Sequence, residues 1–428
     1  MGVAYPSLAT FVGTPLILVA IHSDGELFMT DNHDFDESGN LLPPWIQLPD
    51  LPYGSIGWRM GSGEYVIDNF KEWYGSLPRL ARKAFRAHYP EPDAWKGFFS
   101  RIRSETVMRY LAGIRGALVG DALGVPFEFK QPVDIPPASE IRMVMQSAFR
   151  KTYPQIPYGT WSDDGSQLLC LLESLEHDTS FDPAHFATLL VKWARAGHHQ
   201  SGGAVFDCGG QTARALQNLE NGVAPLDAGG TEERSNGNGS LMRVLPVALV
   251  GHWDDWSDQR IVDVAHLQSR LTHRHPVAQV CCALYCLVAI FLLRDGQRKP
   301  IDCRTAAFSF LDDIYGQPEY WEFQGALAIV REFPQQNFKR GSGYVVDCLW
   351  SALDCLENSH SYVETVRAAI LLGNDTDTTA CVAGGLAGII YGAETIFELD
   401  DGPMGIPCDW IAQLRVPDVT AELLDRIM

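Results

Sequence analysis

From Ser104 onward, apolar residues recur at the three-and-four spacing of helices, and almost no alternating strand pattern interrupts them. The periodicity predicts helices over about 104–123, 164–177, 182–196, 210–220, 239–250, 258–272, 276–294, 301–315, 318–332, 343–357, 361–372 and 376–393. In the second of these, Leu168, Leu169, Leu172 and Leu175 follow one another at helical spacing. Val277–Leu293 is apolar nearly throughout; it is short for a membrane span and contains Gln279, so it reads as a helix buried at the centre of an all-helical domain. Gly384, Gly388 and Gly392 recur every four residues on the last long helix, a spacing that suits close helix packing.

The first hundred residues have a different texture. Pro15–Ile21 and Glu26–Met29 flank a turn at Ser23–Gly25 and read as a β-hairpin. An acidic, Pro-rich passage follows; Asp34, Asp36, Ser38 and Gly39 imitate a calcium loop, but its twelfth position is Trp45 instead of Glu. Helical spacing returns between Tyr65 and His88, broken at Pro78, and Trp95, Phe98, Phe99 and Ile102 predict one more short helix. The expected architecture is a smaller mixed extension over 1–103 and an all-α, compact multi-helix domain over 104–428.

Charge narrows the partners. With 33 basic against 53 acidic residues the formal charge is −20, which argues against nucleic acid or an anionic membrane as a general partner. The ten cysteines fall largely in apolar contexts with no C-x-x-C pair, as expected of reduced core residues in a cytoplasmic protein. The N-terminus carries no recognisable export signal.

The candidate chemistry lies at two helix starts. GNDTDTTA (Gly373–Ala380) puts five oxygen-bearing side chains at consecutive positions, and Ser162-Asp163-Asp164 adds a hydroxyl and two acids where another helix begins. Such residues cap helices, and they also suit hard cations such as Mg²⁺, Mn²⁺ or Ca²⁺. One cap oxygen suffices for a helix, however, and paired carboxylates repel, so the doubled acids favour convergence on cations.

Four more stretches accompany these: GALVGDALGVPFEF (Gly116–Phe129), FDCGGQTARAL (Phe206–Leu216), NGNGSLMRVLPVAL (Asn236–Leu249) and LTHRHPVA (Leu271–Ala278). With all six in order, the region from about 104 to 395 resembles the ADP-ribosylglycohydrolase family. The resemblance implies an all-α fold holding two Mg²⁺ (or Mn²⁺), with ligands Ser162, Asp163, Asp164, Asp375, Asp377 and Thr378. Ser162 stands where most members have Thr and keeps the hydroxyl, whereas Gly165 loses an outer hydroxyl that many members have. Glu128 matches the family's mobile glutamate, and Asp163, Asp164 and Glu128 are the candidates for proton transfer. Gly120, Asp121, Gly124, Asn238, Gly239, Ser240, Met242, Arg243 and His273 match its nucleotide cleft, with Arg243 equally able to serve as a structural ion-pair partner.

The implied reaction is hydrolysis of the bond between ADP-ribose and a modified protein side chain, most plausibly arginine, through an oxocarbenium-like transition state. The added N-terminal segment resembles the architecture of bacterial immunity proteins, implying a second partner, an ADP-ribosyltransferase toxin. Asp31–Asp36, Trp45, Tyr53 and Trp58 are the expected contacts. The alternatives are serine- or ester-linked ADP-ribose as substrate, or a catalytically silent binding protein on the same fold.

Overall fold

Helix boundaries in this chain are set by local chemistry. Asp182 accepts a hydrogen bond from the Ala184 amide ahead of a helix that starts at Pro183 and stops at Gly197, whose φ of 66° only glycine adopts readily. Ser257 and Ser361 cap two further helices through the amides of Arg260 and Glu364. The computed structural model describes residues 34–427, except 100–101, 103–104, 147, 178–179, 203, 297, 337–339 and 393–403. The expected hairpin over Pro15–Met29 and the first acidic residues from Asp31 lie outside the described residues.

The chain divides into a small unit ending at Gly75 and a large one beginning at Ser76. The small unit contains the short α1 (Pro44–Gln47) and most of α2 (Ser62–Ser76). Its loop at Asp36 is an internal bracket: one carboxylate oxygen accepts from the Ser38 and Asn40 amides and the other from the Asn40 side chain. Trp58, expected as a contact residue, is buried instead, its indole N–H shared between the carbonyls of Leu51 and Pro52. Tyr53, Ile56, Met60 and Tyr65 are the exposed large apolar side chains here, with Ile46 and Phe35 less so.

The large unit is helical throughout, with no strand among the described residues. It runs α3 (Arg79–His88), α4 (Glu105–Gly124), α5 (Asp163–His177), α6 (Pro183–Ala196), α7 (Gly210–Glu220), α8 (Leu245–Trp253), α9 (Asp258–Arg270) and α10 (Pro276–Arg294). It continues α11 (Pro300–Tyr315), α12 (Gln324–Gln336), α13 (Val345–Glu357), α14 (Tyr362–Leu371), α15 (Thr376–Tyr391), α16 (Cys408–Ala412) and α17 (Asp418–Ile427). The apolar α10 is core: every residue from Val277 to Ile290 is buried, among α8, α9, α11 and α13.

Three expectations are corrected. The helix placed over 239–250 begins only at Leu245, because Asn238–Val244 forms a turn that packs on the site. The first part of 318–332 is a 3₁₀ turn, Pro318–Phe323. The short helix expected around Trp95–Ile102 is interrupted among the described residues, by a 3₁₀ turn (Asp93–Trp95) and by Gly97 at φ 78°, although Trp95, Phe98, Phe99 and Ile102 are all buried. The two C-terminal helices, α16 and α17, were not expected, although Val419, Leu423 and Ile427 of α17 stand at helical spacing.

The feature that positions the site is a seam between α4 and α15, which run antiparallel. A Cβ on Gly116 would collide with the Gly384 carbonyl, and one on Gly388 with the Ala112 carbonyl. At the other end, a Cβ on Gly120 would lie 2.7 Å from the Ala380 carbonyl carbon, and one on Gly124 would lie 2.5 Å from Asp377 Cα. Ordinary carbon contacts are about 3.5–4.0 Å, so glycine at these positions lets the two backbones touch. The end of α4 is thereby fixed against the start of α15.

Candidate active site

The start of α15 divides its five oxygen-bearing side chains between structure and chemistry. Thr376 donates to the Gly124 carbonyl (2.9 Å) and Thr379 to the Asp375 carbonyl (2.7 Å). These two bind the helix start to α4 and to itself. Asp375, Asp377 and Thr378 are left facing the site; Asn238 donates to Asp375 Oδ2 (2.9 Å), and the Thr378 amide donates to Asp377 Oδ1 (3.0 Å).

The start of α5 is braced from behind by Asp121, whose carboxylate accepts from the Ser162 amide (2.9 Å) and the Gly165 amide (2.8 Å). A Cβ at Gly165 would stand 2.8 Å from Leu118 Cδ2 and from Trp161 Cδ1, so packing leaves little space for the outer hydroxyl that the family resemblance implied there. Ser162 Oγ donates to Asp164 Oδ2 (2.8 Å), which Thr378 Oγ1 approaches from α15 at 3.3 Å. Asp163 Oδ2 accepts from Gln167 (2.9 Å).

The two helix starts converge. Asp121, Asp164 and Asp377 each bring a carboxylate oxygen within 4.8 Å of the others, and so do Glu128, Asp375 and Asp377. Asp377 belongs to both groups. Burial, compounded by neighbouring carboxylates, pushes Asp163, Asp164 and Asp377 well above the usual range. Glu128 rises to about 9 through burial and the charge of Asp207. Asp121 rises to about 7 through burial. One oxygen each of Glu128, Asp164 and Asp377 is buried without a hydrogen-bond partner. Buried carboxylate oxygens in that condition cost stability unless a cation or proton meets them, and an all-oxygen donor set fits a hard divalent cation.

Beside these groups opens a cleft of ≈360 Å³. Glu128, Asp163, Asp375 and Thr378 line it together with Asn238, Gly239, Met242 and His273. The His273 ring lies under the loop, 2.8 Å from where a Cβ on Gly239 would be, and burial lowers it to about 3, so it is neutral. Five expected cleft residues do not line it. Gly120 and Gly124 belong to the helix seam, and Asp121 is the brace. Ser240 accepts from Ser269 beneath the surface. Arg243 is fully buried, donating to Gln167, Gln268 and Thr272.

Three charged lining residues escaped sequence reasoning. Asp207, at φ 60°, accepts from Tyr153 OH (3.1 Å) and faces the acidic groups; burial and the charge of Asp375 raise it to about 6. Its signal was its place in the FDCGG stretch. Arg214 and Arg234 are the cations on the cleft wall.

An all-helical body with acidic helix starts meeting beside a small-molecule-sized cleft is an arrangement suited to binding a small ligand next to hard-cation donors. The sequence model of the family described as ADP-ribosylglycohydrolase matches residues 103–428, and the chain belongs to that family: it is a glycosidic-bond hydrolase. It is 29% identical to the ADP-ribosylarginine hydrolase Tri1 of Pseudomonas putida (strain GB-1), over 80% of this chain and 86% of that protein. The ADP-ribosyl-[dinitrogen reductase] glycohydrolase of Rhodospirillum rubrum is 26% identical, over 72% of this chain and 90% of its own. A solved structure described as an ADP-ribosylglycohydrolase-related protein complex superimposes with a TM-score of 0.57 at 28% identity, covering 76% of this chain and 98% of that one.

Proposed function

We propose that this protein removes ADP-ribose from modified arginine side chains with the help of two Mg²⁺ or Mn²⁺ ions, in the cytoplasm. The observation that carries the reading is the meeting of Asp164, Asp375, Asp377 and Glu128 beside the cleft, with Asp377 common to both carboxylate groups. The arginine linkage is supported by two relatives, from Pseudomonas putida and Serratia proteamaculans (strain 568), each 29% identical and each named ADP-ribosylarginine hydrolase.

Asp164, Asp375, Asp377 and Glu128, with the hydroxyls of Ser162 and Thr378, are the residues that would hold the cations. Bound there, such ions supply Lewis-acid orientation of ribose hydroxyls and of a water. Asn238 fixes the Asp375 carboxylate, and Arg214 and Arg234, which also line the cleft, are the cations that would complement a diphosphate. Hydrolysis breaks the bond from the anomeric carbon to the arginine nitrogen; the water oxygen joins the carbon and a proton goes to the departing nitrogen. Glu128 and Asp163, both on the cleft wall, are placed to carry protons.

The finer biology belongs to the same proposal: an immunity protein whose N-terminal segment also docks on an ADP-ribosyltransferase toxin. The exposed Tyr53, Ile56, Met60 and Tyr65 of the small unit support it, as does the −20 net charge toward a basic partner. The test is release of ADP-ribose from arginine-modified protein with Mg²⁺ and with chelator, beside serine- and ester-linked substrates. Failure on all three linkages sinks the enzymatic half. Toxin binding that survives deletion of residues 1–101 sinks the docking half.

A further inference from the structure

Behind the helix start that carries Ser162–Asp164 lies a cluster that the reaction does not use. Glu173 projects from α5, and His198 and His199 follow the Gly197 stop of α6. Both imidazoles aim at one oxygen: His198 Nε2 is 2.6 Å and His199 Nε2 2.8 Å from Glu173 Oε2. His199 is held at φ 60°, a left-handed conformation uncommon outside glycine, with its ring turned inward and fully buried. Its other nitrogen, Nδ1, is 2.9 Å from Thr420 Oγ1 on α17, the kind of oxygen partner that orients a metal-ligating imidazole.

We propose that Glu173, His198 and His199 form a separate site for a borderline divalent transition cation of the Zn²⁺ class. The three donor atoms lie within 4.8 Å of one another. Tetrahedral bonds of about 2.0–2.1 Å place neighbouring donors about 3.3 Å apart, so Glu173 has to withdraw by roughly half an ångström. It is free to do so: its side chain is 24% exposed, against 6% and 0% for His198 and His199. The cation and a completing water therefore enter from the Glu173 side. Two nitrogens and one oxygen select against Mg²⁺, which sets this site apart from the all-oxygen cleft.

Its place in the fold gives the site a consequence. The His199 carbonyl accepts from the Trp161 indole (3.0 Å), and Gln200 bonds both the Trp161 carbonyl and Ser166 Oγ (each 3.2 Å). Ser201 Oγ donates to the Arg415 carbonyl (2.8 Å). A cation here clamps α5, the turn after α6 and the C-terminal helix, and thereby the backbone that presents Ser162–Asp164.

The experiment is Cu²⁺ titration followed by electron paramagnetic resonance, on full-length protein saturated with Mg²⁺. A His177→Gln background removes the neighbouring His177–His185 pair, whose rings lie 4.3 Å apart. The expected result is one equivalent of Cu²⁺ coupled to two nitrogens, persisting in Asp375→Asn and so independent of the cleft. His198→Gln should leave one coupled nitrogen and bind about 10–100-fold more weakly, and Zn²⁺ should raise the melting temperature of the parent and not of this variant. Absence of nitrogen coupling, or coupling unchanged by His198→Gln, overturns the proposal. Should His198→Gln fail to fold, Glu173→Gln decides: unchanged Cu²⁺ affinity in that variant equally overturns it.

Discussion

Replacing Gly124 with alanine sets two local effects against each other, and the seam decides the sign. Gly124 is already in the right-handed helical region (φ −78°, ψ −36°), so the added Cβ strains nothing in its own backbone. Helix propensity alone favours alanine over glycine by about 1 kcal/mol. The methyl, however, would stand 2.5 Å from both Asp377 Cα and the Thr376 carbonyl oxygen. Restoring a carbon contact of about 3.5 Å moves the start of α15 by roughly 1 Å. Overpacking of this kind costs about 1–3 kcal/mol, leaving a net destabilisation on the order of 1 kcal/mol. Activity should suffer more, because Asp377 belongs to both carboxylate groups and a misplacement of about 1 Å costs about 10²-fold. The assay is kcat/KM for ADP-ribose release beside thermal unfolding. Gly325→Ala is the matched control: it lies within α12 with nothing within 4 Å of the added methyl, so helix propensity acts alone and the melting temperature should rise. A Gly124→Ala protein that melts at or above the parent temperature with full kcat/KM would refute the claim that this contact fixes the site.

Asp377→Asn should abolish the Mn²⁺-induced rise in melting temperature and lower kcat by at least about 10²-fold; retention of either reading contradicts the shared role. Arg243→Met removes the donors from four buried hydrogen bonds and should cost on the order of 3–5 kcal/mol in urea unfolding, with Arg243→Lys a poor rescue. A loss below about 1 kcal/mol would reject that network. Burial lowers His266 and His273 from 6.5 to about 3 each. The unfolded chain therefore takes up their protons first, and each histidine's own contribution to stability should fall as pH drops from about 6.5 toward 3, by up to about 1.4 kcal/mol per unit, against the opposite slope of the raised carboxylates Asp121, Glu128 and Asp207. The difference between the melting curves of the parent and of His266→Gln across that range isolates one histidine's share, and no difference in slope would refute it.

Much of the fold was legible because helices announce themselves locally. The periodicity over 210–220 and 276–294 matches α7 and α10 to the residue. The acidic helix starts were legible for a different reason: Asp163-Asp164 and Asp375-x-Asp377 place more charge at a helix start than capping requires. What stayed hidden is set by tertiary approach. Gly120 and Gly124 read as room for a ligand, yet the object that comes close is the backbone of α15. Asp121 reads as a cleft residue and spends both oxygens on the amides of Ser162 and Gly165. Asp207 sits in a loop with no period to report its direction, and its left-handed backbone turns it toward the acids.

The seam also imposes a chronology. Thr376 and the Gly124 carbonyl it bonds are 252 positions apart in the chain. During synthesis α4 emerges early, with its glycine-lined groove and no partner to fill it, while Glu128 waits for carboxylates not yet translated. At roughly 5–20 residues per second, that interval lasts on the order of 10–50 s. No hydrolytic centre exists on the ribosome until the last long helix is released, so assembly of the fold and onset of catalysis are the same event.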